Sequence, residues 1–273
     1  ERYWPDSVTP PKVGREGDTA DHPMTRGMAE GFKTEQFDDK AALKARAGYF
    51  ACVDMLDEVI GDMLRTLEAD GLLENTIVVY TSDHGELAGE HGMWWKNSWH
   101  EASARVPLMI STPAHRRGER SATRWRTPVS LEDLFPTLCG LCGVDSPADL
   151  PGVDLAASVR GEGEPSRGPV FYDNPNPRWG EGAEHRVVVD GRFKYVRFRG
   201  IEPNLLFDLE ADPLEQRNLV DDPAHAEVRD RLHALVEASY DFAAAERQCE
   251  ADRELRQMHR LELDLPGDNL FML

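Results

Sequence analysis

Positive charge is scarce in this chain. Its 273 residues hold 31 lysines and arginines against 50 aspartates and glutamates, a net charge of −19. Only Lys12, Lys33, Lys40, Lys44, Lys96 and Lys194 are lysines. So acidic a surface argues against nucleic acid or an anionic membrane as a partner. Few lysines beside many acids also fit a salt-adapted protein. Cysteine is scarce as well: Cys52, Cys139, Cys142 and Cys249 are too few for a disulfide scaffold. No apolar run approaches the roughly 20 residues that cross a bilayer. The first residue is Glu1 rather than Met, so a signal peptide cannot be assessed, and a cytoplasmic setting is slightly favoured.

What the chain does have is a readable order of elements. Its length allows one large domain or two smaller ones. Residues 1–37, with Pro5, Pro10, Pro11 and Pro23, read as an extended loop. Asp38 and Asp39 can cap a helix. Leu43, Ala47, Phe50, Leu56, Ile60, Met63, Leu64 and Leu67 then recur at helical spacing up to Gly71, which predicts a long helix covering one sheet face. Its acids Asp54, Asp57, Glu58 and Asp62 read as a solvated face. The β-branched run at 77–80 predicts a buried strand, and 106–111 a second. A helix follows from 130 or 131 to 142. It contains Cys139-x-x-Cys142, read as a helix face rather than half a zinc site or a redox pair. Residues 143–185 are rich in Gly, Pro and Asp and read as a loop or linker. From 185 to 198 apolar and polar residues alternate around Asp190-Gly191, the strongest short hairpin signal. A further strand is expected at 204–209, a turn at Asp212-Pro213 and helix over 223–260.

The chemistry is concentrated in the stretch 76–96. Ser82, Asp83, His84 and Gly85 follow the first strand directly. Metal-competent side chains at the carboxyl end of a buried strand lie where open α/β sheets place their sites, and a glycine there permits a sharp turn. A carboxylate suits Ca²⁺ or Mg²⁺, whereas an imidazole is more at home on Zn²⁺, Mn²⁺ or Fe, so the pair leaves the metal open. Lys96 stands out for its rarity.

Asp83-His84-Gly85, Gly89-Glu90-His91-Gly92, Trp94, Lys96, Glu101 and Arg105-Val106-Pro107 together resemble the sulfatase family of the alkaline-phosphatase superfamily. The resemblance covers the later part of a sulfatase. It implies an α/β fold: residues 1–185 as the C-terminal part of a catalytic domain, with part of a mixed, mainly parallel sheet flanked by helices. A small antiparallel sheet with a packed helix follows over 186–246, and a tail over 247–273. It also implies that Asp83 and His84 are metal ligands, usually for calcium or magnesium in sulfatases and zinc in the related phosphatases. Lys96 corresponds to the lysine that contacts the sulfate oxygens. His100, beside Glu101, is a further candidate to face substrate. Glu86 and Glu90 read as loop acids, His91 as structural and Arg105 as an ion-pair partner that holds the loop. Trp94, Trp95 and Trp99 either wall a pocket or pack the loop. His22-Pro23 falls too late to match the family's His-x-Pro.

Sulfatases use a formylglycine made within Cys/Ser-x-Pro-x-Arg. None of the four cysteines has Pro two positions on, and no serine opens that motif. The nucleophile and the remaining metal ligands are therefore expected upstream, in an N-terminal part of the same domain, and these residues alone are expected to be inactive. The substrate class implied is a small sulfate ester. A phosphodiesterase or phosphonate monoester hydrolase of the same superfamily, or a non-catalytic binding module, are the alternatives. The charged tail leaves a homo-oligomer open.

Overall fold

The computed structural model describes residues 3–5, 7–175 and 177–262. The proline-rich start is not wholly extended. It contains α1 (Pro23–Phe32), opened by His22, whose ring accepts from the Met24 amide, with Pro23 in the first turn. Met24 and Met28, one turn apart, are fully buried and anchor it. The expected long helix is α2 (Asp39–Ala69), capped by the Asp38 carboxylate on the Ala41 amide. Gly71 adopts φ 69° just beyond its end, where an L side chain would be strained. Next come β1 (Val78–Thr81), α3 (Glu101–Ala104), β2 (Leu108–Ser111), α4 (Pro113–Arg116), α5 (Leu134–Cys142) and α6 (Ala156–Val159). The last part holds β3 (Val170–Asn174), β4 (His185–Asp190), β5 (Phe193–Phe198), β6 (Leu205–Asp208), α7 (Ala226–Ser239) and α8 (Phe242–Glu262). The end of the expected tail lies outside the described residues.

Every strand pair among the described residues is antiparallel, so the expected part of a mixed, mainly parallel sheet is not confirmed. Among the described residues β1 pairs with β2 alone, Val78 opposite Ser111 and Thr81 opposite Leu108. The second sheet has the order β3-β4-β5-β6. Its hairpin turns at the predicted Asp190-Gly191, but its first strand comes from within the stretch read as a loop. α2 covers less than expected. A 31-residue helix is about 46 Å long, while a four-residue strand reaches only about 13 Å. Leu56, Val59 and Met63 remain 45–61% exposed.

The second sheet carries a core on each face. One face packs Val188, Tyr195 and Leu206 against Leu232 and Val236 of α7. The other packs Val187, Val196, Phe198 and Phe207 against Met24 and Met28 of α1 and against Leu87, Met93 and Trp99 from the loop between β1 and α3. The loop with the candidate chemistry is thus part of the core of the C-terminal sheet. The free cysteines include both members of Cys139-x-x-Cys142.

Candidate functional site

The site begins where β1 ends. The Ser82 hydroxyl donates to the His84 carbonyl at 2.9 Å, and the His84 amide donates to Asp83 Oδ1 at 3.0 Å. These short-range bonds turn Asp83 outward, and its side chain is 82% exposed. Desolvation is the largest single influence and would raise its pKa, but the neighbouring His84 and the N–H and O–H donors together outweigh it and keep Asp83 below the usual carboxylate range. Gly85 is needed for close approach rather than for a left-handed turn. Its amide donates to the Ser103 carbonyl at 2.7 Å, and a Cβ there would lie 2.1 Å from the Ala102 carbonyl oxygen.

His84 Nδ1 faces the Gly85 carbonyl at 2.8 Å, which assigns the proton to Nδ1 and leaves a lone pair on Nε2. That Nε2 lies 2.8 Å from the Lys96 ammonium and 3.5 Å from Asp83 Oδ2. The Lys96 ammonium and the Asp83 carboxylate thus both lie beside the Nε2 lone pair of His84. The Asp83–His84 donor set fits a divalent metal ion in charge and in ligand type. It is only part of a site, because no group of three or more His, Cys, Asp or Glu suited to a metal occurs among the described residues.

Lys96 is held by the loop around it. Glu86 accepts from the amides of Ala88 and Trp95 at 2.9 and 2.7 Å, and the Leu87 amide donates to the Trp95 carbonyl at 2.9 Å. Glu90 accepts from the amides of Lys12 and Val13 and pairs at 3.0 Å with Arg46 of α2. Both glutamates are thus loop fasteners. Left-handed backbone recurs at Ala88, His91, Trp95 and Asn97, with φ between 47° and 73°. Each such residue costs on the order of 1 kcal/mol. The fasteners offset that strain and fix the backbone up to Trp95, the residue before Lys96.

The structure brings Asp83, His84 and Lys96 together and places His100 elsewhere. His100 is fully buried, its Nδ1 lies 2.6 Å from the Ser98 hydroxyl, and its ring stacks 4.0 Å from that of His91. Burial, helped by His91 and Lys194, holds its pKa well below 6.5, and burial holds His91 at about 4. Trp99 is fully buried with it, while Trp95 lies 4.3 Å from the ring of Phe32 and is 46% exposed. Arg105 is exposed and pairs with no acid among the described residues, contrary to expectation. His22 sits in the core, with Nε2 3.1 Å from the Pro203 carbonyl.

Sequence reasoning passed over Lys194. It is 0% exposed, with its ammonium 3.0 Å from Glu101 Oε1 and 2.6 Å from Glu215 Oε1. The second approach is an ion pair off the hydrogen-bond line. A signal existed: in the alternation of β5 this lysine falls on the same face as Val196 and Phe198, where an apolar residue belongs.

The sulfatase family model matches residues 16–144, and that of the N-sulphoglucosamine sulphohydrolase C-terminal region matches 89–241. Choline-sulfatase of Rhizobium meliloti (strain 1021) is 37% identical over 186 residues, which is 66% of this chain and 34% of that protein. Arylsulfatase K of Bos taurus is 34% identical over 197 residues, 68% of this chain and 35% of that protein. The crystal structure of phosphonate monoester hydrolase of Agrobacterium radiobacter superposes with a TM-score of 0.64 at 30% identity, over 77% of this chain and 43% of its own. This chain thus spans about a third of the length of the curated relatives it matches. With the matched models together spanning residues 16–241, the chain belongs to the sulfatase family.

Proposed function

We propose that this chain supplies one half of a sulfuric-ester hydrolase site. Asp83 and His84 would hold a divalent ion, Ca²⁺ or Mg²⁺ by preference, and Lys96 would contact the sulfuryl oxygens. The observation that carries this reading is the meeting of the three side chains at the end of β1, with Lys96 Nζ 2.8 Å and Asp83 Oδ2 3.5 Å from His84 Nε2. A bound ion would help to position nucleophile and substrate and to polarise the ester. Asp83 contributes the negative charge that a hard cation needs, and the Nδ1–H of His84 fixes the tautomer that presents Nε2. The Lys96 ammonium has three N–H donors and a compact charge, which compensate oxygens on the transferring group.

The nucleophile, a formylglycine in this reading, comes from a part of the catalytic domain outside these residues. Leu56, Val59 and Met63 of α2 and Met109 of β2, all 45–61% exposed, are the apolar surface on which that part would pack. The test has two arms. Purified 1–273 with Ca²⁺, Mg²⁺ or Mn²⁺ should show no turnover of a sulfate monoester, and robust turnover would overturn the two-part site. In the assembled enzyme, Lys96→Ala should lower kcat by about 10²–10³ with the fold unchanged. An unaltered kcat would remove Lys96 from the chemistry.

Similarity to a phosphonate monoester hydrolase supports a second reading, since the same Asp-His pair and lysine suit a phosphonyl group. The ratio of kcat/KM for matched sulfate and phosphonate monoesters separates the two.

A further inference from the structure

The loop that carries Lys96 is fastened on its far side by the C-terminal sheet. One residue after Lys96, the Asn97 carbonyl accepts from Asn174 Nδ2 of β3 at 3.4 Å. The Trp99 carbonyl accepts from the Tyr172 hydroxyl of β3 at 2.7 Å. The Glu101 amide, in the first turn of α3, donates to Glu215 Oε2 at 2.6 Å. Glu215 belongs to the turn that begins at Asp212. It has φ 55°, its amide donates to the Asp212 carbonyl, and the Arg217 amide donates to Asp212 Oδ2. Between the two glutamates stands the Lys194 ammonium, from β5.

Two carboxylates held together, Glu215 buried and Glu101 only partly exposed, repel each other unless a cation lies between them. Lys194 is the cation that lets Glu101 and Glu215 approach, so the bond from the Glu101 amide to Glu215 depends on it. Burial works against its charge, but Glu215, Tyr172 and Glu101 outweigh burial and hold the ammonium protonated. Burial pushes Glu215 upward, with Lys194 opposing.

We propose that Lys194 is a positioning residue for Lys96: by bridging Glu101 and Glu215 it locks residues 97–101 onto the C-terminal sheet and sets where the Lys96 ammonium stands at the end of β1. The proposal rests on the reading of Lys96 given above and extends it to a residue 98 positions away on another sheet.

The test combines a double-mutant cycle in the assembled enzyme with amide exchange on the chain 1–273. Lys194→Met should lower kcat for a sulfate monoester by about 100-fold, the scale of an ångström of misplacement, with a much smaller change in KM. In a Lys96→Ala background the same substitution should change kcat by less than about twofold, because the two residues act through one path. Lys194→Arg should recover most of the rate. Losses that multiply in the double variant would make Lys194 a general stabiliser and overturn the proposal. For exchange, K194M/E215Q removes the orphaned carboxylate together with the lysine. It should speed the amides of 97–101 by about tenfold or more while those of β4 and β5 hold their protection. Unchanged protection at 97–101 would also overturn the proposal. If Lys96→Ala alone leaves kcat intact, the sulfatase-site reading fails, and amide exchange alone then decides the clamp.

Discussion

Every residue of β6 is buried, and so are four of the six in β4, whereas all four residues of β1 are only half-buried and β2 exposes Met109. The sheet β3–β6 has helices and loops on both faces and closes its own core. The pair β1–β2 carries the metal-type residues at its end yet has two strands and little cover. In α2, only Arg46 and Ala47 of 31 residues are buried. The contrast separates stability from chemistry: the sheet that holds the molecule together is not the one that bears the candidate ligands. Site and scaffold meet through the loop at 82–107, whose Leu87, Met93 and Trp99 are packed into the better-built sheet.

Substitutions can break this comparison. Phe207→Ala, in the fully buried β6, should cost about 3–5 kcal/mol in denaturant unfolding. A cost below about 1 kcal/mol would mean that the C-terminal sheet is not the scaffold. The acid limb comes next. His185 of β4 is 2% exposed, and burial holds its pKa at about 4, with its bond to the Ala183 carbonyl opposing. Unfolded, the ring titrates near the ordinary value of about 6.5 and takes up a proton that the folded ring refuses. Its contribution is therefore complete above about pH 6.5 and is lost progressively as pH falls toward 4, on the order of 3 kcal/mol in all. His185→Leu should flatten the stability profile in that window, and an unchanged slope would show that other groups drive acid unfolding. A smaller effect is expected at the N-terminus of α2, where Asp38→Ala should cost about 1 kcal/mol by loss of the cap. Smallest of all, Val59→Ala on α2 and Asp83→Ala at the site should each stay within about 0.5 kcal/mol in the isolated chain, since Val59 is about half exposed and the Asp83 side chain is largely in water. A large loss at Val59 in 1–273 would show that α2 is already covered, for instance by a second copy.

Local signals were legible. Asp38 and Gly71 mark the limits of α2, the β-branched run marks β1, and Asp190-Gly191 turns the hairpin where a type of turn with positive φ is needed. Asp83, His84 and Lys96 stand out as candidates because they lie on one short loop and match a spaced pattern. What depends on distant partners was not legible. β3 hides between glycines and prolines, and its register exists only once β4 is beside it. α1 lies in a stretch whose prolines suggest a loop, although Pro23 at the first turn of a helix is favourable. His100 reads as a candidate to face substrate until Trp99 stacks on it and His91 lies against it. Lys194 reads as a hairpin cation until Glu101 and Glu215 arrive from more than twenty residues away on either side.

The direction of one strand has a consequence for how such a chain can change over generations. Because β2 returns antiparallel to β1, residues 82–107 lie at one end of the pair and the connection after Ser111 leaves from the other. That far connection is wholly exposed from 116 to 126 and includes Arg116, Arg117, Arg120, Arg124 and Arg126, an unusually basic stretch in so acidic a protein. Insertions, deletions or charge reversals there are a strand's length away from Asp83, His84 and Lys96. Relatives can therefore diversify this surface for new surroundings while the residues at the opposite end are inherited intact.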